Sequence, residues 1–139
     1  MNSLLKNICF SLLFAGFLLG QLPLVFAAKQ PLPVVQQDYS VVAGEWQRTD
    51  GGYVVKASNV EADGQVEVEY FNPRSIHVEQ ATITTQRNLI KLFIRLQDKG
   101  YEGSTYTLYY YAAKDAMVGF YHQAVMDKTF EVIFLRKNN

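Results

Sequence analysis

Cysteine is nearly missing from this chain: Cys9 is the one thiol in 139 residues, and it lies in an N-terminal stretch that reads as a removable signal. The chain beyond that stretch therefore has no disulfide framework, no thiolate nucleophile and no Cys-ligated zinc or iron–sulfur centre. An excess of one charge is missing too, since 13 Lys and Arg balance 13 Asp and Glu. The basic residues are scattered over Lys56, Arg74, Arg87, Lys91, Arg95, Lys99 and Lys114 and form no stripe. Without a stripe there is nothing to track a row of phosphates or to settle on an anionic bilayer, so nucleic acid and membrane surfaces are poor partners. Histidine is scarce. His77 and His122 are the only two, both fall on the parity opposite the core, and no carboxylate pair sits at ligand spacing beside them, so neither a metal nor a cofactor is expected. After the N-terminal stretch no segment carries apolar residues at helical spacing for the length of an amphipathic helix.

The features that are present begin with that N-terminal stretch. Lys6 precedes an uninterrupted apolar run over residues 8–19, with Pro23 and the small-residue site Val25-Phe26-Ala27 after it. This order is a signal peptide over residues 1–27, cleaved after Ala27 or Ala28. The run falls short of the ~20 residues that span a bilayer, so no stable membrane insertion is expected after cleavage. Residues 28–40 carry Pro31, Pro33 and Gln36-Gln37 and read as an extended leader. The domain proper is 41–139, in a secreted or periplasmic protein.

That domain is a succession of about eight strand-length runs, the number that closes a small barrel. The expected strands are residues 41–47, 53–60, 65–71, 76–84, 89–97, 104–111, 116–123 and 129–136. Thr49-Asp50-Gly51-Gly52 and Asp63-Gly64 supply the tight-turn residues between the first three. Val66, Val68 and Tyr70 alternate with Glu67 and Glu69, and Ile90, Leu92, Ile94 and Leu96 with Lys91 and Arg95, so each strand has one wet face. The phase slips between Val78 and Ala81, as at a β-bulge. Every connection is short, which makes consecutive strands neighbours. The expected fold is all-β: a single antiparallel eight-stranded up-and-down β-barrel.

Gly44-Glu45-Trp46 on the first strand, with Arg136 near the end of the last, resembles the calycin barrels, the lipocalins and avidins. The resemblance implies that Trp46 plugs the closed end and Arg136 lies across it. Val118-Gly119-Phe120-Tyr121 is similar to avidin-like chains. Over residues 44–136 the chain resembles more closely a group of small secreted bacterial domains of uncharacterised function. That likeness is carried by Gly44-x-Trp46, Asp50-Gly51-x-Tyr53, Tyr70-Phe71-Asn72-Pro73, Gly100-Tyr101-x-Gly103-Ser104-x-Tyr106 and Gly119-x-Tyr121-x-Gln123.

Inward parity, counted from Trp46 and the aliphatic positions, takes in Tyr53, Tyr70, Tyr106, Tyr110, Tyr121 and Phe130 as well as the aliphatic core. Buried phenols need partners, so tyrosines converging on one interior imply a polar network or a bound molecule with donors and acceptors. The candidate mouth is Tyr70, Asn72, Tyr101, Ser104, Tyr106, Tyr121 and Gln123. Chemistry is poorly provided for. Gly103-Ser104 lacks the strained nucleophile elbow and a core-facing base, and Glu67 and Glu69 face water, so no catalytic residue is assigned and no enzyme is expected. Two readings remain open: a non-enzymatic exported barrel that binds a small, partly polar ligand at that mouth, and a periplasmic protein-binding or inhibitor module with a filled barrel that docks through its loops at residues 98–103 and 72–75.

Overall fold

A computed structural model describes residues 36–138 of the chain. The expected signal peptide and residues 28–35 of the expected leader lie outside the described residues. The rest forms one nine-stranded antiparallel sheet, β1 (Gly44–Arg48), β2 (Val54–Ser58), β3 (Glu67–Asn72), β4 (Arg74–Ile76), β5 (Val78–Gln86), β6 (Leu89–Leu96), β7 (Thr105–Tyr111), β8 (Ala116–Gln123) and β9 (Lys128–Arg136). The order across the sheet is β4-β3-β2-β1-β9-β8-β7-β6-β5. Only β1 with β9 departs from pairing between chain neighbours, and that pairing brings the first strand against the last. This is a nearly closed up-and-down barrel.

Nine strands stand where the alternation of the sequence predicts eight, because the fourth run is broken at His77. Its first residue, Ile76, ends β4, which pairs with β3, while residues 78–84 lie in β5, which pairs with β6. The expected bulge is there, as a register shift between Val78 and Gln80. The seam between β3 and β5 is held by the bridge Gln65↔Thr82 and by Ile83 N–H donating to Gly64 C=O at 2.8 Å. Gly64 sits at φ +92°, and a Cβ there would meet the Ile83 carbonyl oxygen at 2.0 Å. Only glycine allows this approach, which is why Asp63-Gly64 ends a hairpin and also joins the seam.

Strand one starts later than the pattern predicts. Tyr39–Val42 form a 3-10 turn capped by Asp38, and Gly44 after it lies at φ +130°. The described part of the leader packs on the barrel: Gln37 Nε2 donates to Asn88 C=O at 2.7 Å and the Tyr39 hydroxyl meets Thr85 Oγ1 at 3.1 Å. The β5–β6 hairpin turns on Arg87 and Asn88, both at positive φ, the backbone twist that suits a two-residue hairpin. The β7–β8 and β8–β9 turns share one design, a 3-10 turn that ends on an aspartate in the left-handed region, Asp115 and Asp127.

The interior is filled. Trp46, Tyr70, Tyr106 and Phe134 have no accessible surface, and Ile94, Leu96, Leu108 and Met117 complete the core. Val42, Ala57, Ile83 and Met117 are core residues outside the expected inward set. Parity places Phe130 inward, but it is 43% exposed, because it lies at the open end of β9 where no strand covers it.

Candidate functional site

One end of the barrel is sealed by Trp46 and Arg136. The two are cross-strand partners in the β1–β9 ladder, so both side chains point inward, and the guanidinium carbon sits 4.1 Å from the Trp46 ring centroid. Trp46 Nε1 donates to Val42 C=O at 2.8 Å. Arg136 donates to the carbonyls of Val41 and Ala43, each at 2.7 Å, and to both oxygens of Asp115 at 2.6 and 2.9 Å. Its donors thus satisfy the carbonyls that the 3-10 turn leaves unpaired. Gly44 has no side chain because a Cβ would lie 2.7 Å from Arg136 Nη1. The calycin resemblance implies this geometry for Trp46 and Arg136, although a plugged barrel end does not by itself identify a family.

The other end opens into a cup of about 320 Å³ lined by Arg48, Tyr53, Tyr70, Asn72, Gly100, Tyr101, Tyr121, Gln123 and Phe130. Five of the seven expected mouth residues meet there: Tyr70, Asn72, Tyr101, Tyr121 and Gln123. The other two lie beneath it. Ser104 is fully buried and its Oγ accepts from Ala124 N–H at 3.2 Å, tying the β6–β7 loop to the β8–β9 turn. Tyr106 is fully buried too, and supports the cup from below by stacking on Tyr121 at 4.6 Å between centroids and 27° between planes. The cross-strand registers Tyr106↔Tyr121 and Tyr121↔Phe130 continue this ladder to the rim, with Tyr121 and Phe130 6.4 Å apart and 21° from parallel. On the opposite side the Asn72 amide donates to the Tyr101 hydroxyl, and Tyr70 packs edge-on against Tyr101.

Arg48 is the residue that sequence reasoning missed. It shares inward parity with Gly44 and Trp46, and a charged residue at the end of a first strand reads by default as solvated. In the fold its side chain is only 10% exposed. Arg48 Nε and Nη2 grip the Asp50 carboxylate, Nη1 donates to the Tyr106 hydroxyl at 3.2 Å, and the guanidinium lies 4.1 Å above the Tyr53 ring. The signal available was parity together with Arg48-x-Asp50, two residues apart at the turn of a hairpin.

No family model, curated protein or solved structure matches this chain. A barrel by itself is a fold and not a function, so the chemistry of the site has to carry the functional reading. A larger depression of about 720 Å³ lies on the outer face, where Tyr109, Tyr111, Val118, Phe120 and Ile133 line its floor. Its lining is mostly apolar with charges at the rim. The cup instead sets a half-buried cation and amide groups among aromatic walls, the mixture that orients a small ligand. His77 is exposed, and His122 meets Thr129 Oγ1 at 3.1 Å.

Burial sets the acid–base state of the cup. Loss of solvent pushes the Tyr106 phenol up to about 12, with Tyr70 and Arg48 pulling the other way. Tyr70, whose hydroxyl is 3.0 Å from that of Tyr106, is raised further by burial and by its phenol neighbours. Unfolded phenols ionise near about pH 10. The pair's contribution to stability is thus fully present below that pH and is lost as pH rises through the folded values. In a phenolate absorbance titration, Tyr70 and Tyr106 should ionise only as the barrel unfolds. If all nine tyrosines ionised together near about pH 10 with the far-ultraviolet dichroism intact, the buried pair would be ruled out.

Proposed function

We propose that this protein is an exported, non-enzymatic barrel that binds a small, partly polar ligand in its tyrosine-walled cup. One observation carries the reading: Asn72, Tyr101, Tyr121 and Gln123, drawn from β3, the β6–β7 loop and β8, surround one opening, with the fully buried Tyr70 at its floor. The filled core leaves room for a ligand at the mouth and none along the barrel axis. Aromatic faces supply contact area at low entropic cost, and the amides of Asn72 and Gln123 supply orientation.

Tyr106 is a poor probe of this proposal, because truncating a fully buried ring costs about 3–5 kcal/mol of stability. Tyr121→Phe is cleaner: it keeps the stack and removes one hydroxyl. A ligand found as a reproducible extra mass on the native protein should bind Tyr121→Phe up to roughly tenfold more weakly, the worth of one hydrogen bond at about 1.4 kcal/mol. Asn72→Ala should show a similar loss. Unchanged affinity in both folded variants would remove the cup from consideration.

The second reading, docking on a protein through the 98–103 loop, is favoured by how firmly that loop is held. The Asp98 carboxylate accepts from His77 N–H, Lys99 N–H and Arg74, Glu102 accepts from Gly100 N–H, and Gln97 accepts from Gly103 N–H. A loop ordered in advance loses less entropy on docking. Alanine replacement of Lys99 and Glu102 would abolish capture of a macromolecular partner under this reading and leave small-ligand binding intact.

A further inference from the structure

We infer that the cup selects a small carboxylate carried on a flat ring, with Arg48 as the anion-binding residue; this rests on the ligand-binding reading above. A guanidinium has five N–H donors in a planar fork. In Arg48, Nε and Nη2 are engaged by Asp50, and Nη1 by the Tyr106 hydroxyl. One N–H on each terminal nitrogen is left over, and Arg48 lines the cup.

Charge points the same way. Among the residues lining the cup, Arg48 is the only one with a formal charge. Its counter-ion Asp50 is not among them: that carboxylate is 55% exposed and approaches from the hairpin side. The cup therefore meets the cationic side of the Arg48–Asp50 ion pair, and a charge-assisted hydrogen bond from that side to an anion is about twice as strong as a neutral one. The planar fork suits a carboxylate in particular.

The aromatic walls select the rest of the ligand. Tyr53 is already covered by the Arg48 guanidinium, so the free ring faces are on the far side, where Phe130 is 43% exposed beside Tyr121. A ligand whose carboxylate reaches Arg48 lays its body along those rings. A flat ring stacks there, while an extended aliphatic chain would leave the cup.

The test uses the full chain with benzoate, benzamide and acetate as probes, read by calorimetry and by ring-proton shifts of Tyr121 and Phe130. Benzoate should bind at least tenfold more tightly than benzamide, the neutral isostere, and more tightly than acetate. Arg48→Lys should cut the benzoate affinity at least tenfold and the benzamide affinity by clearly less. Because that change also touches a structural ion pair, Asp50→Asn gives an independent check. It strips Arg48 of its competing anion on an exposed turn and should tighten benzoate binding several-fold. Benzamide binding as tightly as benzoate, or Asp50→Asn weakening benzoate, would overturn the carboxylate assignment while leaving a cup that binds neutral ligands. No binding of any probe, with no shift at Tyr121 or Phe130, would overturn the assignment, whereas the cup itself stands or falls with the Tyr121→Phe and Asn72→Ala variants.

Discussion

Gly119→Ala is expected to cost the barrel at least about 3 kcal/mol, or to prevent it from folding, although it adds a single methyl group. Gly119 lies in mid-strand on β8, opposite Leu108 of β7 and Val132 of β9. A Cβ built there would sit 1.9 Å from the Thr107 carbonyl oxygen, 2.9 Å from its carbon and 3.0 Å from the Leu108 Cα. All three are backbone atoms of the neighbouring strand, so no side chain can rotate away and the β7–β8 ladder must open. Overpacking a core against movable side chains already costs about 1–3 kcal/mol, and a backbone clash lies above that range. Glycine inside a strand marks a place where the sheet bends sharply or backbones approach closely, and here it lets β7 and β8 curve toward closure. Gly52→Ala is the matched control, since nothing lies within 4 Å of its added Cβ. It should leave the stability from urea unfolding within about 1 kcal/mol of the parent. Equal stability of the two variants would show that β7 and β8 are not paired in this register.

That glycine also shows how far the sequence could be read. The strands were legible because half-buried antiparallel strands alternate, and β8 was located to the residue by Ala116 and Gln123. The ends of β1 and the break at His77 were not. Val41 and Val42 read as the start of a strand but are drawn into the 3-10 turn, because Asp38 caps it and Arg136 takes carbonyls at its end. Ile76 of β4 reads as one strand with β5 because local pattern does not encode which neighbour each segment pairs with. The mouth was largely legible from parity among the tyrosines. Depth was not: Tyr106 and Ser104 share the parity of the lining residues, yet both are fully buried beneath them. Arg48 was missed for a different reason. Its burial is made tolerable by Asp50, Tyr53 and Tyr106 together, and Tyr106 lies 58 residues away, a partnership that no local window contains.

The two ends of the barrel use one arrangement in two ways. At each end an inward arginine lies over an aromatic ring at 4.1 Å and is gripped by a turn aspartate through two nitrogens. Arg136 gives two of its remaining three donors to the carbonyls of Val41 and Ala43, which closes that end. Arg48 bonds one phenol and keeps donors in reserve, which leaves the other end polar and open. The closed end therefore holds the shape from which the open end is built.

Arg136→Ala should accordingly be the most damaging change at the closed end outside the packed rings, at about 3 kcal/mol. It strands two carbonyls, each costing about 1–3 kcal/mol if left unpaired, and removes a cation–π contact of about 0.5–2 kcal/mol. Water reaching a site that is partly exposed offsets some of that sum. Arg136→Lys should recover less than half of the loss, because one ammonium cannot reach both carbonyls, Asp115 and the indole face together. Asp115→Asn should cost under about 1 kcal/mol, since the carboxylate is 46% exposed and the amide keeps an acceptor and tolerates the left-handed backbone. Urea unfolding at neutral pH ranks the three at unchanged slope. Acid gives a second reading. Arg136 holds the Asp115 carboxyl below its ordinary value, so its contribution is complete above the unfolded value of about 3.9 and is lost as pH falls through the folded one. Removing Arg136 should therefore flatten the acid limb of the stability curve as well as lower its plateau. A lower plateau with the acid limb unchanged would mean that Asp115 is solvated in the folded barrel and that the carbonyls of Val41 and Ala43 account for the arginine's whole effect.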